Sequence, residues 1–353
     1  MCGVTGLIGV PKDERVQRWS YQLAKSLLAE TVSRGPHATG VYTYYPKEDG
    51  SPKLFCYKLA APAPDYVKTK YWRQLGDKAM FLLLGHCRFY TNGTPEDHKN
   101  NHPHLSDDNK MALIHNGIIG GFSGLKKNYP CKSDCDSEVI LRIIESEEDT
   151  LEGILKLHRL MGTSDSFACL LGKWDPVEKV AHLWCFRDTC RPLCYVDLRE
   201  EWGQYHFAST PEIMEKALSK AGLPKAVQKV KAIEIPTEEI WHTRSDTMEW
   251  EVTKVPSSVP VSTGYTNPSR NYERATNLDP EDADKARVKA LIDAIVENCT
   301  EIDDNLRLSD LSTYGGIKGL EDRLKEVAFD LEKIVNPEVD GDLVEVTDQE
   351  YFD

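Results

Sequence analysis

The sequence predicts a soluble α+β protein, with one large domain of buried strands and amphipathic helices and then a helical extension. Three observations carry this. The apolar runs at 79–84 (Ala-Met-Phe-Leu-Leu-Leu) and 111–114 (Met-Ala-Leu-Ile) are strand-length and continuous, as in strands covered on both faces. Val16, Trp19, Leu23 and Leu27 recur at three- and four-residue spacing, the period of a helix with one face on a sheet. Charge is distributed unevenly: residues 281–353 hold 21 Asp/Glu against 8 Lys/Arg, a balance of −13, which leaves −1 for residues 1–280. With 353 residues, the chain has room for two domains or one large domain and an extra segment.

An opening strand is expected to lead to a helix capped by Asp13 and ending near Ser33. Ser33 to Gly40 reads as a turn, and β-rich runs follow at 41–45 and 54–59. The run at 79–84 then delivers Gly-His-Cys-Arg-Phe-Tyr-Thr (85–91) to a sheet end or cleft. Residues 256–280 are rich in Pro, Ser, Thr and Asn and read as a linker. Helical periodicity returns within 281–335, through Val288, Leu291, Ile292 and Ile295 and then Leu320, Leu324, Val327 and Leu331. The acidic tail 336–353 is expected to be disordered.

Composition excludes several functions. Neither part of the chain has the basic excess that phosphate neutralisation needs, so no nucleic-acid partner is expected. No apolar run has the roughly 18 residues of a membrane span. Ten scattered cysteines without paired spacing suit a reducing cytoplasm.

Four places can carry chemistry. If Met1 is removed, Cys2 holds a thiol beside a free α-amine that titrates near neutrality, so one residue is nucleophile and base; otherwise Cys2 is a small apolar residue opening a strand. Arg88, leaving a buried strand, suits a carboxylate clamp because its planar fork matches that anion. Asn116-Gly117 offers a side-chain amide and an unhindered backbone N–H, the donors of an oxyanion hole, or else forms a type I′ hairpin turn. Asp136 either caps the helix that follows or receives an ammonium. Three histidines between 98 and 104, with Cys87, raise the question of a metal, but the spacing matches no established ligand pattern and none is expected. No cofactor is expected either.

Cys-Gly-Val-Thr-Gly (2–6), Ser-Arg-Gly-Pro (33–36), Gly-His-Cys-Arg (85–88), Asn-Asn-His-Pro-His (100–104), His-Asn-Gly-Ile-Ile (115–119) and Asp-Ser-Glu-Val-Ile (136–140) occur in this order. Ser-Phe-Ala (166–168), Arg-Asp-Thr-Cys-Arg-Pro-Leu (187–193) and Phe-Ala-Ser (207–209) follow. Together they resemble the class II glutamine amidotransferase domain, most of all the glutaminase half of glucosamine-fructose-6-phosphate aminotransferase. The resemblance spans 2–255 and implies an N-terminal-nucleophile hydrolase fold, a four-layer αββα sandwich. It implies that Cys2 is the nucleophile and its α-amine the base, that Asn116 and the Gly117 N–H form the oxyanion hole, and that Arg88 and Asp136 bind the α-carboxylate and α-amine of L-glutamine. Arg34 and Thr91 would line the pocket and steady Cys2. His37, Phe89, Tyr90 and Asn92 depart from the family pattern, and the loop at 187–193 is two residues short, which bears on acceptor choice and gating.

No acceptor-domain motif is read in 281–353. The expectation is therefore a glutaminase subunit that passes ammonia to a synthase or aminotransferase on another chain, with self-association through the extension also open. A glutamine-binding regulator without turnover, or an amidohydrolase acting on another amide, are the alternatives. The intact Cys2, Asn116 and Gly117 weigh against the first, and the paired Arg88 and Asp136 against the second.

Overall fold

The computed structural model describes residues 2–47, 52–162, 165–256 and 343–344. The expected linker at 256–280 beyond Pro256, the helical extension at 281–335 and most of the acidic tail lie outside the described residues.

The strand β1 (Gly3–Gly9) leads to α1 (Glu14–Thr31), whose N-terminus Asp13 caps by accepting the Val16 N–H at 2.8 Å. The hairpin β2 (Ala38–Pro46) and β3 (Pro52–Leu59) follows, then the single turns α2 (Ala63–Tyr66) and α3 (Lys70–Arg73) and the strand β4 (Leu82–Arg88). Next come β5 (His104–Leu105), β6 (Met111–Ile118), α4 (Phe122–Asn128), α5 (Glu138–Glu145) and α6 (Thr150–Leu160). The strands β7 (Ser166–Asp175), β8 (Val180–Arg187) and β9 (Cys194–Leu198) are followed by α7 (Arg199–Trp202), β10 (Gln204–Ala208) and α8 (Pro211–Lys220). Last are β11 (Ile233–Glu234), β12 (Glu239–Arg244), β13 (Glu251–Lys254) and β14 (Leu343–Val344).

Pairing is antiparallel throughout. One sheet runs β11-β9-β10-β1-β4-β2-β3-β14 and the other β13-β12-β8-β7-β6-β5. Between them, Val4, Ile8, Tyr42, Leu82 and Leu84 meet Ala112, Ile114, Leu170 and Leu183. The outer face of the first sheet packs Leu7, Val41 and Leu83 on Ala24 and Leu28 of α1 and on Trp72, while Val196 and Leu198 meet α8. The outer face of the second sheet packs Leu113, Leu171 and Phe186 on α5 and α6. The layers are therefore αββα, as the resemblance implies. Alternate residues of one strand enter different cores: Leu82 and Leu84 face the other sheet and Leu83 faces the helices. The continuous apolar runs follow from this, because both faces must be apolar.

The strand expected at 79–84 is displaced and runs from Leu82 to Arg88. Its partners explain the shift. β1 pairs Gly3 with Cys87 and Ile8 with Leu82, and β2 pairs Ala38 with Arg88, so the ladder continues past the point where the apolar run has stopped. Arg88 is thus the strand's last residue, not part of a loop beyond it.

Candidate active site

A cleft of about 170 Å³ lies where the start of β1 and the end of β4 approach the end of β6 from the other sheet. Cys2, Arg88, Thr91, Asn116, Gly117 and Asp136, all singled out from the sequence, line it. Arg34 does not line the cavity. It stands behind the cleft, where its Nε donates to the Cys2 carbonyl at 2.9 Å.

Cys2 precedes β1, half-buried, so it is not the first residue of a buried strand. Its Sγ lies 3.4 Å from both the backbone N–H and the carbonyl of Phe89. Burial raises the thiol above its ordinary pKa, while the Phe89 backbone hydrogen bond and the charge of Arg88 oppose the rise and Asp136 adds to it. At neutral pH the group is therefore a thiol that needs a base to attack.

Asn116 and Gly117 do not form a hairpin turn. They lie within β6, opposite Ala168 and Phe167 of β7. Asn116 is 0% exposed. Oriented to satisfy both neighbours, its amide nitrogen donates to the Cys2 carbonyl at 2.9 Å and its oxygen accepts from Arg34 at 3.2 Å. A Cβ at Gly117 would sit 1.8 Å from the Ser166 carbonyl oxygen and 2.5 Å from His115 Nε2, so only glycine allows β6 and β7 to close here.

Arg88, 2% exposed, donates to Asn101 Oδ1 at 2.9 Å, to the Gly93 carbonyl at 2.9 Å and to the Asn92 carbonyl. These bonds lock the plane of the guanidinium at the cleft wall and leave N–H donors to spare. Asp136 is not a helix cap. Its Oδ2 accepts the Ile119 N–H at 2.8 Å, across from α5. The loop carrying it is pinned by the next residues. Glu138 accepts the N–H groups of Lys132 (3.0 Å) and Ser133 (2.7 Å) and pairs with Arg142 at 2.8 Å, and the Asp134 N–H donates to Asn100 at 2.8 Å.

His115 braces the strand from behind. Its Nε2 lies 3.2 Å from the Ser166 carbonyl and its Nδ1 2.7 Å from Ser137 Oγ. A carbonyl only accepts, so Nε2 carries the proton and Nδ1 accepts from the serine hydroxyl. Burial lowers its pKa and favours this neutral form, although Asp136 opposes the shift.

The cleft also includes Arg191, Phe89, His102 and Cys135, which the sequence reading did not place among the site residues. Arg191, whose Nε donates to Ser166 Oγ at 3.0 Å, was visible as part of the Arg-Asp-Thr-Cys-Arg-Pro-Leu motif. The contribution of Phe89 is its backbone N–H, which no side-chain pattern signals. The departing residues His37, Phe89 and Tyr90 pack together, with ring centroids 4.7 and 4.8 Å from His37, and the Tyr90 N–H donates to His37 Nδ1 at 3.2 Å.

The fold, a two-sheet αββα sandwich with Cys2 at the mouth of the cleft, is that of the N-terminal-nucleophile hydrolases. A solved structure described as the allosteric regulatory enzyme of purine biosynthesis superposes with a TM-score of 0.52 at 18% identity, covering 73% of this chain and 50% of that one. In sequence, the N-terminal region is similar to glutamine–fructose-6-phosphate aminotransferases at about 30% identity. The protein from Pyrococcus horikoshii is 32% identical over 154 residues, 41% of this chain and 22% of its own length, and that from Aquifex aeolicus 29% identical over 177 residues, 48% and 27%. This chain therefore matches about a quarter of the length of those relatives. No protein-family model matches it.

Proposed function

We propose that this chain hydrolyses L-glutamine to glutamate and ammonia through a thioester on Cys2, and that the ammonia passes to an acceptor enzyme on another chain. The observation that carries the reading is the convergence of Cys2, Arg88, Asp136, Asn116 and Gly117 on one cavity. An amino-acid amide presents one anion, one cation and one amide, and the cleft has a complement for each.

With Met1 removed, the α-amine of Cys2 takes the thiol proton, directly or through one water, as sulfur bonds to the amide carbon. The carbonyl oxygen becomes an oxyanion, which accepts hydrogen bonds from the Asn116 amide and the Gly117 N–H. The carbon–nitrogen bond then breaks, the amine returns its proton to the leaving nitrogen, and ammonia departs from the thioester. Water, activated by the same amine, adds to the carbonyl and releases glutamate and the thiol. Arg88 and Asp136 hold the α-carboxylate and α-amine so that the amide carbon meets the sulfur, and Thr91 and Arg34 steady the wall and the Cys2 backbone.

The relatives that the chain resembles are named as glutamine-using aminotransferases, which supports an amide donor of this kind. The test uses glutamine labelled with nitrogen-15 at the amide. The wild-type chain is expected to release labelled ammonium and glutamate in equal amounts, and Cys2→Ala to release neither while melting at the same temperature. Turnover that survives Cys2→Ala would overturn the proposal.

A further inference from the structure

The cleft has a second cluster of donors on its floor that glutamine hydrolysis does not use. His102 and Cys135 line the cavity, and His104 opens β5 directly behind them, opposite Leu113. All three are at most 4% exposed. The histidine segment is wedged against the first sheet: a Cβ at Gly40 of β2 would lie 1.9 Å from the His102 carbonyl oxygen, and the His102 ring stacks on His86 at 3.9 Å.

Both ring nitrogens of His102 and Nε2 of His104 lack a hydrogen-bond partner. A buried imidazole without a partner is destabilising, and interiors leave few such groups without a ligand or water. Of the neighbouring imidazoles, His86 bonds the His115 carbonyl and His115 bonds Ser137, whereas among the described residues buried imidazole nitrogens also lack partners at His158 and His206, where no cysteine lies alongside in a donor group. One donor atom each from His102, His104 and Cys135 lies within 4.8 Å of the others. Bonds of about 2.0–2.3 Å to one ion need these atoms to close by roughly 1 Å, which is within side-chain rotation.

We propose that His102, His104 and Cys135 form a Zn²⁺ site whose occupation weakens glutamine binding in the adjoining cleft. Two imidazoles and a thiolate are a borderline-to-soft set that suits Zn²⁺ and does not suit the oxygen-seeking Mg²⁺ or Ca²⁺. Three protein ligands leave a fourth position, which faces the cavity because His102 and Cys135 form its wall. On binding, the thiol proton goes to solvent and sulfur bonds the metal. Lys58, Arg88 and Arg142 place positive charge around the cluster and Asp136 and Glu138 negative charge. The ion therefore enters a site without net negative excess and binds reversibly.

The link to turnover is short. Cys135 Sγ lies 3.9 Å from Asp136 Oδ1, so a dication on that sulfur competes with the substrate ammonium for the Asp136 carboxylate. This consequence rests on the proposed glutaminase reading, whereas the metal site itself does not. The sequence raised a metal at these histidines with Cys87 and expected none, because Cys135 reaches the histidines only through the fold.

The test has two arms on the full chain. In the first, Co²⁺ is titrated as a probe. The expected result is one ion per chain by equilibrium dialysis, with thiolate-to-cobalt charge-transfer and tetrahedral ligand-field bands that disappear in Cys135→Ala and in His104→Gln. Circular dichroism melting confirms that both variants fold. Absence of binding, or bands that persist in Cys135→Ala because another cysteine holds the ion, overturns the site. In the second arm, Zn²⁺ is expected to raise the KM for glutamine by about fivefold or more in the parent chain, reversibly on chelation, and not in His104→Gln. Binding in the first arm with an unchanged KM overturns the regulatory half. If no form of the chain turns over glutamine, the glutaminase reading fails while the cobalt result still decides the site.

Discussion

Gly117→Ala tests how closely the reaction depends on the pairing of β6 with β7. The new Cβ would lie 1.8 Å from the Ser166 carbonyl oxygen, where real Cβ contacts are essentially never shorter than 3.0 Å, so the strands must part by more than an ångström at Gly117–Phe167. The N–H displaced belongs to one proposed oxyanion donor, and its neighbour Asn116 carries the other. A misplacement of about 1 Å lowers turnover by about a hundredfold, similar to removing one such donor. Overpacking of this kind destabilises by about 1–3 kcal/mol, and each kilocalorie lowers Tm by about 2–4 °C in a domain of this size. Steady-state glutamate release should show kcat reduced by about a hundredfold and KM within about threefold of wild type, because Arg88 is held by Asn92, Gly93 and Asn101 and the loop of Asp136 is pinned through Glu138. Asn116→Ala, which adds no bulk, should lose a comparable factor in kcat without the fall in Tm. Wild-type kcat in a folded Gly117→Ala protein, or an effect on KM alone in Asn116→Ala, would refute the oxyanion assignment.

Other consequences follow from the same geometry. Arg88→Ala should raise the KM for glutamine by about tenfold or more, since a lost charge-assisted clamp is worth about 2 kcal/mol; an unchanged KM removes Arg88 from the binding site. Acid should destabilise the fold between pH 6.5 and 5, because burial lowers His86 and His206 to about 3. Folded imidazoles stay neutral there while unfolded ones take up protons, so stability is complete above about 6.5 and falls by about 2 kcal/mol per histidine at pH 5; equal urea-unfolding free energies at pH 7 and 5 would contradict this. Glu138→Ala should lower stability by about 2 kcal/mol, because it leaves the Lys132 and Ser133 N–H groups without their acceptor while Arg142 keeps Glu145 and Asp107, and an unchanged Tm would show that the 131–137 loop is held otherwise. A chain ending at Pro256 loses only the Leu343–Val344 pairing with β3 among the described contacts and should stay folded and active; insolubility would move the domain boundary.

Much of the sandwich was legible because both faces of its central strands are apolar. Leu82, Leu83 and Leu84 announce a strand from sequence alone, whereas His86 and Arg88 belong to the same strand only because Val4 of β1 pairs with His86 and Ala38 of β2 with Arg88. Asn116-Gly117 shows the opposite limit. The pair is ambiguous locally, since the same residues make a hairpin turn, and the register with Ala168 and Phe167 decides for a strand. Asp136 was ambiguous for a similar reason. Its carboxylate accepts the Ile119 N–H, a bond between segments that no local pattern encodes. The ordered motifs around Cys2, Arg88 and Asp136 made their convergence readable. The Phe89 N–H and the approach of Cys135 to His102 were not, because they depend on backbone geometry and on long-range packing.

The central claim is that Cys2 is the nucleophile and carries the free α-amine. It is tested most directly by treating purified protein with a glutamine-like diazoketone and mapping the adduct by peptide mass spectrometry. The account predicts a chain without Met1, one adduct per chain, on Cys2 and none on the other nine cysteines, and protection by excess glutamine. Active protein that retains Met1, or stoichiometric labelling of another cysteine with Cys2 unmodified, would contradict it.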